Sequence, residues 1–247
     1  MRLCLGLGLS LMLLACGEDR PSAGFVTERG GARVELLRHH VQLTGGASPD
    51  DTLPLIVTLH GRSGTPAHFT RFFTDLEVPA RILHLEAPVE EGDGRAWFTF
   101  RFKTAEMLEE ETRLLARRAV ATTRRFMDTH PTRGRPVVTG FSQGAMIVYL
   151  IALVHPDAFA EAFPVAGLLV TDYGIGPDSL AHMPPIVAFH GEDDPIMSVA
   201  SERRTIATLR SRGARAELRT YPNVAHWIQR GLKDDLHREL TRAVGPR

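Results

Sequence analysis

The sequence predicts an α/β fold, with a mostly parallel central sheet and helices packed on both of its faces. Two observations carry this expectation. From residue 33 onward, short apolar runs alternate with longer amphipathic ones, the pattern of strands linked by helical crossovers. The first long run, 53–61 (LPLIVTLHG), is nearly continuous in apolar residues, as a strand covered on both faces must be. The 247 residues suffice for one large domain with a substantial core, and nothing reads as a linker to a second one. The expected domain occupies residues 33–247.

Residues 53–61 and 80–88 (ARILHLEAP) read as strands. The next element is a helix over 104–129. Leu108, Thr112, Leu115, Ala119, Thr122 and Phe126 recur on one face at helical spacing. Glu106 and Glu109–Glu111 come early and Arg124 and Arg125 late, the charge order a helix dipole favours. Residues 135–141 (RPVVTGF) read as a strand, and 142–156 (SQGAMIVYLIALVHP) as a helix closed by Pro156. There follow a strand at 161–170, a Gly/Pro/Asp loop at 172–185 and a strand at 185–191 (PIVAFHG). A helix at 198–212, a strand at 216–222 and a terminal helix at 226–243 complete the order.

The N-terminus stands apart. MRLCLGLGLSLMLLAC has one early Arg, an apolar run and small residues at its end, the layout of a secretion signal too short to remain as a membrane span. Its LLAC ending resembles a bacterial lipobox. That implies a signal over 1–15, a diacylated Cys16 as the new N-terminus, and a flexible tether over 16–32 reaching about 50 Å if extended. A plain cleaved signal with Cys16 nearby by chance is the alternative. Gly17, rather than Asp, after the cysteine resembles outer-membrane sorting, so the expectation is an exported, membrane-anchored lipoprotein. With Cys4 in the signal and Cys16 lipidated, the mature domain would contain neither a disulfide nor a thiol nucleophile.

Charge excludes another class. The 29 basic residues are matched by 29 acidic ones, which leaves no electrostatic footprint for nucleic acid. Metal-ligand spacing is also missing from the sequence, and the adjacent His39 and His40 face opposite sides of an early strand. Neither a metal nor an organic cofactor is expected. Oligomeric state is left open.

The segment GFSQG places Ser142 between a strand and a helix. An alcohol attacks only with a base beside it, a group orienting that base, and donors for the oxyanion. In a G-x-S-x-G turn the glycines allow the sharp bend that lifts the hydroxyl above the sheet edge. Acids stand at a later strand end in VAFHGEDDPIM (Asp193 and Asp194), and His226 follows the last strand in YPNVAHW. Ser, acid and His thus come in the order such hydrolases require. The amides expected to form the oxyanion hole belong to Gln143, after the serine, and Arg62, in the loop TLHGRSG. His60 and His190, each before a glycine at a strand end, read as buried imidazoles bonded to backbone. The Arg62 guanidinium reads as solvent-facing, and Glu90, Glu91 and Asp93 as a solvated turn. Ser63 and Ser198 lack a helix-opening elbow.

The segments LHGRSG, GRAWFTF, GFSQGAM, HGEDDPIM and YPNVAHW together resemble the carboxylesterase and acyl-protein thioesterase branch of the α/β-hydrolases, the phospholipase/carboxylesterase family, over residues 33–243. The resemblance implies an α/β-hydrolase fold and a serine hydrolase of carboxylic esters or thioesters. It implies that Asp194, the Asp before Pro, is the acid and Asp193 its neighbour, and that Trp97 and Phe98 line the acyl pocket or pack in the core. Family members usually have an apolar residue in place of Arg62 and an acid in place of Gly64, so pocket preference is open. The short segment 171–185 implies little or no lid, and hence short to medium acyl chains on a small-molecule or polymer ester. A dienelactone-hydrolase-like, peptidase-like, feruloyl-esterase-like or polyester-cleaving enzyme with the same triad is the second reading. A non-catalytic surface lipoprotein is the third, although all three triad positions are filled.

Overall fold

The computed structural model describes residues 24–28, 30–171, 173–174 and 180–245. In chain order the strands and helices are β1 (Phe25–Thr27), β2 (Arg33–Glu35), β3 (His39–Thr44), β4 (Leu55–Leu59), α1 (Pro66–Thr70), β5 (Ala80–Leu85), β6 (Val89–Glu91) and β7 (Gly94–Ala96). They continue as α2 (Ala105–Met127), β8 (Val137–Phe141), α3 (Gln143–Val154), β9 (Ala162–Val165), β10 (Ile186–Gly191), α4 (Val199–Ser211), β11 (Ala216–Tyr221) and α5 (Arg230–Val244).

Seven strands form the central sheet in the order β11-β10-β9-β8-β4-β5-β3. All neighbours are parallel except β3, which pairs antiparallel with β5 at one edge. The strands carry apolar side chains on both faces, and their alternation divides the core in two. Leu55, Val57 and Leu59 of β4 face one core with Ile186 and Ala188 of β10, under α2, α3 and α4. Ile56, Val187 and Phe189 face the other, under α1 and α5, where Leu232, Leu236, Leu240 and Val244 line the helix at a spacing of about one turn. This is the mostly parallel sheet with helices on both faces that the alternation predicts.

α2 buries Leu108, Thr112, Leu115, Ala119, Thr122 and Phe126, the stripe read from the sequence, and its N-cap Thr104 accepts from the Met107 amide. α3 is apolar on nearly every side because it lies between the sheet and α2.

Three boundaries depart from expectation, and two short elements were not read. Phe25–Thr27 of the expected tether pairs in register with Arg33–Glu35, and Arg117 of α2 holds Glu28. Part of the 16–32 segment is therefore strand. The strand expected to reach residue 170 ends at Val165, and Ala166 turns out of the sheet with φ +51°. The terminal helix starts at Arg230 rather than 226, which leaves His226 on a loop. The β6–β7 hairpin and α1 had no periodic signal long enough to read. Residues 1–23, with the expected signal and Cys16, and residues 172 and 175–179 of the lid segment lie outside the described residues. Among the described residues no helix is long and apolar enough to cross a membrane.

Candidate active site

Four loops meet at the carboxyl ends of β4, β8, β10 and β11, where open parallel sheets present functional groups. β8, near the middle of the sheet, ends at Phe141, and Ser142 follows as the N-cap of α3 with φ +55° and ψ −118°. A residue with a side chain pays about 1–3 kcal/mol to sit in such a region. The surroundings enforce it: the Ser142 amide donates to the Val165 carbonyl at 2.9 Å, and its own carbonyl accepts from Met146 at 3.1 Å. The flanking glycines are steric necessities. A Cβ on Gly144 would lie 2.2 Å from the Leu59 carbonyl oxygen, and one on Gly140 would lie 2.7 Å from the Gly144 backbone.

The Ser142 hydroxyl lies 2.9 Å from His226 Nε2, and His226 Nδ1 lies 2.6 Å from Asp194 Oδ2. The fold thus brings together three residues separated by 84 and 32 positions. The other Asp194 oxygen, Oδ1, accepts from the amides of Ile196 (2.9 Å) and Met197 (2.8 Å). Its side chain is fully buried, so both lone-pair sets must be met inside the protein. Asp193 takes no part in this arrangement; its backbone amide donates to the Val224 carbonyl, bridging the acid and histidine loops. Phe141 packs against the His226 ring at 4.9 Å between centroids. With an Oγ proton on Nε2 and the Nδ1 proton on Asp194, the arrangement can generate an alkoxide and hold the resulting imidazolium.

Backbone donors flank the serine. The amides of Gln143, at the first turn of α3, and Arg62, past the end of β4, have no acceptor among the described residues. The loop carrying Arg62 is locked from behind. His60 Nδ1 donates to the Gly61 carbonyl (2.8 Å) and Nε2 accepts the Ala87 amide (3.2 Å). Burial is the main cause that brings the His60 pKa down to about 4, so this imidazole is neutral.

Of the two alternatives for Trp97 and Phe98, pocket lining and core packing, the structure shows core packing. Both residues are buried at 0% exposure and offer no surface to a substrate in this structure. Trp97 Nε1 donates to the His60 carbonyl (2.7 Å), and its amide donates to Gln143 Oε1 (3.1 Å). Gln143 Nε2 donates to the Phe98 carbonyl (2.9 Å). The 97–98 segment therefore staples the two loops that carry the free amides. The Arg62 guanidinium faces solvent as expected but pairs there with Glu91, so Glu91 is not simply solvated. The exposed apolar residues at the mouth are Ile196, two residues past Asp194, and Trp227, next to His226.

Sequence reading missed Glu202 and Tyr149 behind the acid loop. His190, read as a buried imidazole bonded to backbone, has Nε2 2.7 Å from the Met197 carbonyl and in addition Nδ1 against Glu202, which also accepts from Tyr149. A signal existed. Glu202 shares its helical stripe with Thr205, Ile206 and Leu209, an acid on a buried face.

The model of the phospholipase/carboxylesterase family matches residues 53–237, most of the chain. No curated protein sequence matches. Among solved structures, esterase PE8 superposes with a TM-score of 0.67 at 20% identity, covering 84% of this chain and 99% of that one. Acyl-protein thioesterase 2 of Zea mays gives a TM-score of 0.67, also at 20% identity, with 84% and 99% covered. The carboxylesterase of Bacillus cereus gives 0.66 at 20% identity, with 84% and 94% covered. At such identities the likeness is one of fold. The chain belongs to the phospholipase/carboxylesterase family and is a hydrolase on the α/β-hydrolase fold.

Proposed function

We propose that the protein is a serine esterase acting on carboxylic esters of short to medium acyl chains, with thioesters as a related substrate class. The observation that carries this reading is the unbroken line from Ser142 Oγ through His226 (2.9 Å) to Asp194 (2.6 Å). His226 takes the hydroxyl proton as Ser142 attacks the acyl carbonyl. Asp194 fixes the tautomer of His226 and balances the imidazolium. The Gln143 and Arg62 amides receive the charge on the carbonyl oxygen; one such donor is worth about 3 kcal/mol of barrier. His226 then protonates the departing alcohol or thiol, and water repeats the cycle to release the acid.

The strained backbone of Ser142 supports the nucleophile assignment, since its cost persists only where the surroundings impose it. Comparison of wild type and Ser142→Ala on p-nitrophenyl acetate and butyrate tests the reading, and undiminished turnover by the variant would sink it. We further propose export as a lipoprotein anchored through Cys16 in the outer membrane, on the strength of the LLAC signal. Labelling with a radioactive fatty acid that persists in Cys16→Ser would refute the anchor.

A further inference from the structure

Behind Asp194 lies a buried polar chain that the catalytic steps above do not use. His190 closes β10, Glu202 lies on α4, and Tyr149 lies on α3, the helix that Ser142 opens. The side chains of His190 and Glu202 are fully buried, as is Tyr149. Tyr149 donates its hydroxyl to Glu202 Oε1 at 2.6 Å, and Glu202 Oε2 contacts His190 Nδ1. On the other side of the ring, His190 Nε2 is 2.7 Å from the Met197 carbonyl and 3.3 Å from Asp194 Oδ2.

The donor inventory decides the protonation. A carbonyl only accepts, so Nε2 carries a hydrogen and donates it to Met197, with Asp194 Oδ2 3.3 Å from the same nitrogen. Glu202 makes no contact with a lysine or arginine among the described residues; burial raises its pKa, and the bonds from His190, Tyr149 and the Gly167 amide oppose that rise. The one group facing it that can carry positive charge is His190, through Nδ1. Burial by itself would lower the His190 pKa, but the bond and charge of Glu202, the Met197 carbonyl and the Asp194 charge outweigh it and raise it.

We infer that His190 and Glu202 are positioning residues for the triad: a buried imidazolium–carboxylate pair whose Nε2–H holds the Met197 carbonyl, and with it the loop whose amides aim Asp194 at His226. The inference rests on the serine-esterase reading above. Asp194 Oδ2 is shared by two imidazoles, and the positive end of the pair faces the acid. That charge lies across the carboxylate from His226 and repels a second positive charge there, so a variant that removes it favours the imidazolium of His226. The pair also ties the acid loop to α3 and α4, which fixes Asp194 against the helix that presents the nucleophile. The titratable groups facing His190 are Asp194 from the acid loop, Glu202 from α4 and, through these, His226 and Tyr149.

The test combines spectroscopy on the wild type with pH–rate profiles. Imidazole nitrogen NMR of the intact enzyme should show both His190 nitrogens protonated at pH 7; one bare nitrogen there overturns the assignment. In Glu202→Gln and His190→Gln, with p-nitrophenyl butyrate, kcat should fall about tenfold with KM within about twofold, and the acidic limb of kcat/KM should move up by about half a pH unit. Folded variants with unchanged kcat and an unchanged limb overturn the proposal. Should those variants fail to fold, Tyr149→Phe, which removes one bond to Glu202, must move the limb in the same direction. Turnover that survives Ser142→Ala overturns the serine reading itself, whereas Ser142-dependent turnover with unmoved limbs overturns the pair alone.

Discussion

Acidification from pH 7 to pH 5 will destabilise this fold through two neutral histidines, and substituting either one will remove a definable share of the loss. His60 and His84 are each 1% exposed. Burial is the leading cause that brings their pKa values to about 4 and about 3, from 6.5 in the unfolded chain. The hydrogen bonds of His60 leave no room for a second proton. His60 Nε2 already accepts the Ala87 amide hydrogen. His84 Nε2 lies 2.9 Å from Gln42 Oε1 and Nδ1 lies 2.7 Å from the Thr58 hydroxyl, so one nitrogen donates and the other accepts. As pH falls through 6.5 the unfolded chain takes up protons that the folded state refuses until the lower values are reached, and stability is lost across that window. Integrated from pH 7 to pH 5, each site withdraws about 2 kcal/mol. His155, lowered chiefly by burial, adds to the loss, while the raised His190 opposes it, so the difference between proteins is the quantity to read. Urea unfolding followed by tryptophan fluorescence at pH 7, 6 and 5 should show His60→Gln and His84→Gln each losing about 2 kcal/mol less than wild type. Equal losses in all three proteins would refute the neutral, doubly bonded histidines.

Three further outcomes follow from the same structure. Gly144→Ala drives a Cβ to 2.2 Å from the Leu59 carbonyl oxygen, a backbone atom that cannot swing aside, and should cost about 1–3 kcal/mol in thermal unfolding while lowering kcat. Asp194→Asn should lower kcat about 10⁴-fold, because the tautomer of His226 is no longer held, whereas Asp193→Asn should stay within about threefold; steady-state kinetics on one ester separates the two acids. Arg62→Ala keeps the backbone amide and removes only an exposed pair with Glu91, so kcat/KM on a neutral ester should change less than about threefold and stability by about 0–1 kcal/mol.

Much of this molecule is legible in its sequence, for a physical reason. Strands buried on both faces must be apolar throughout, and helices between them must carry a stripe, so LPLIVTLHG and the Leu108–Phe126 stripe declare their elements without tertiary information. The G-x-S-x-G turn is equally legible because Gly140 and Gly144 tolerate no Cβ where backbones cross. What stays hidden depends on contacts between distant segments. Short pieces such as Phe25–Thr27 carry too few residues for a period and form because a partner strand follows. Trp97 reads equally as pocket or core until its Nε1 is seen on the His60 carbonyl. Glu202 looks like an ordinary helical acid until its stripe is aligned with Thr205, Ile206 and Leu209 and the stripe faces His190.

The central claim is that Ser142 is a nucleophile activated by His226. Covalent labelling with a fluorophosphonate, followed by peptide mass spectrometry, tests it most directly. The account predicts one adduct on Ser142, absent from Ser142→Ala and strongly suppressed in His226→Ala. A folded wild-type protein that stays unlabelled, or an adduct on another serine, would contradict it.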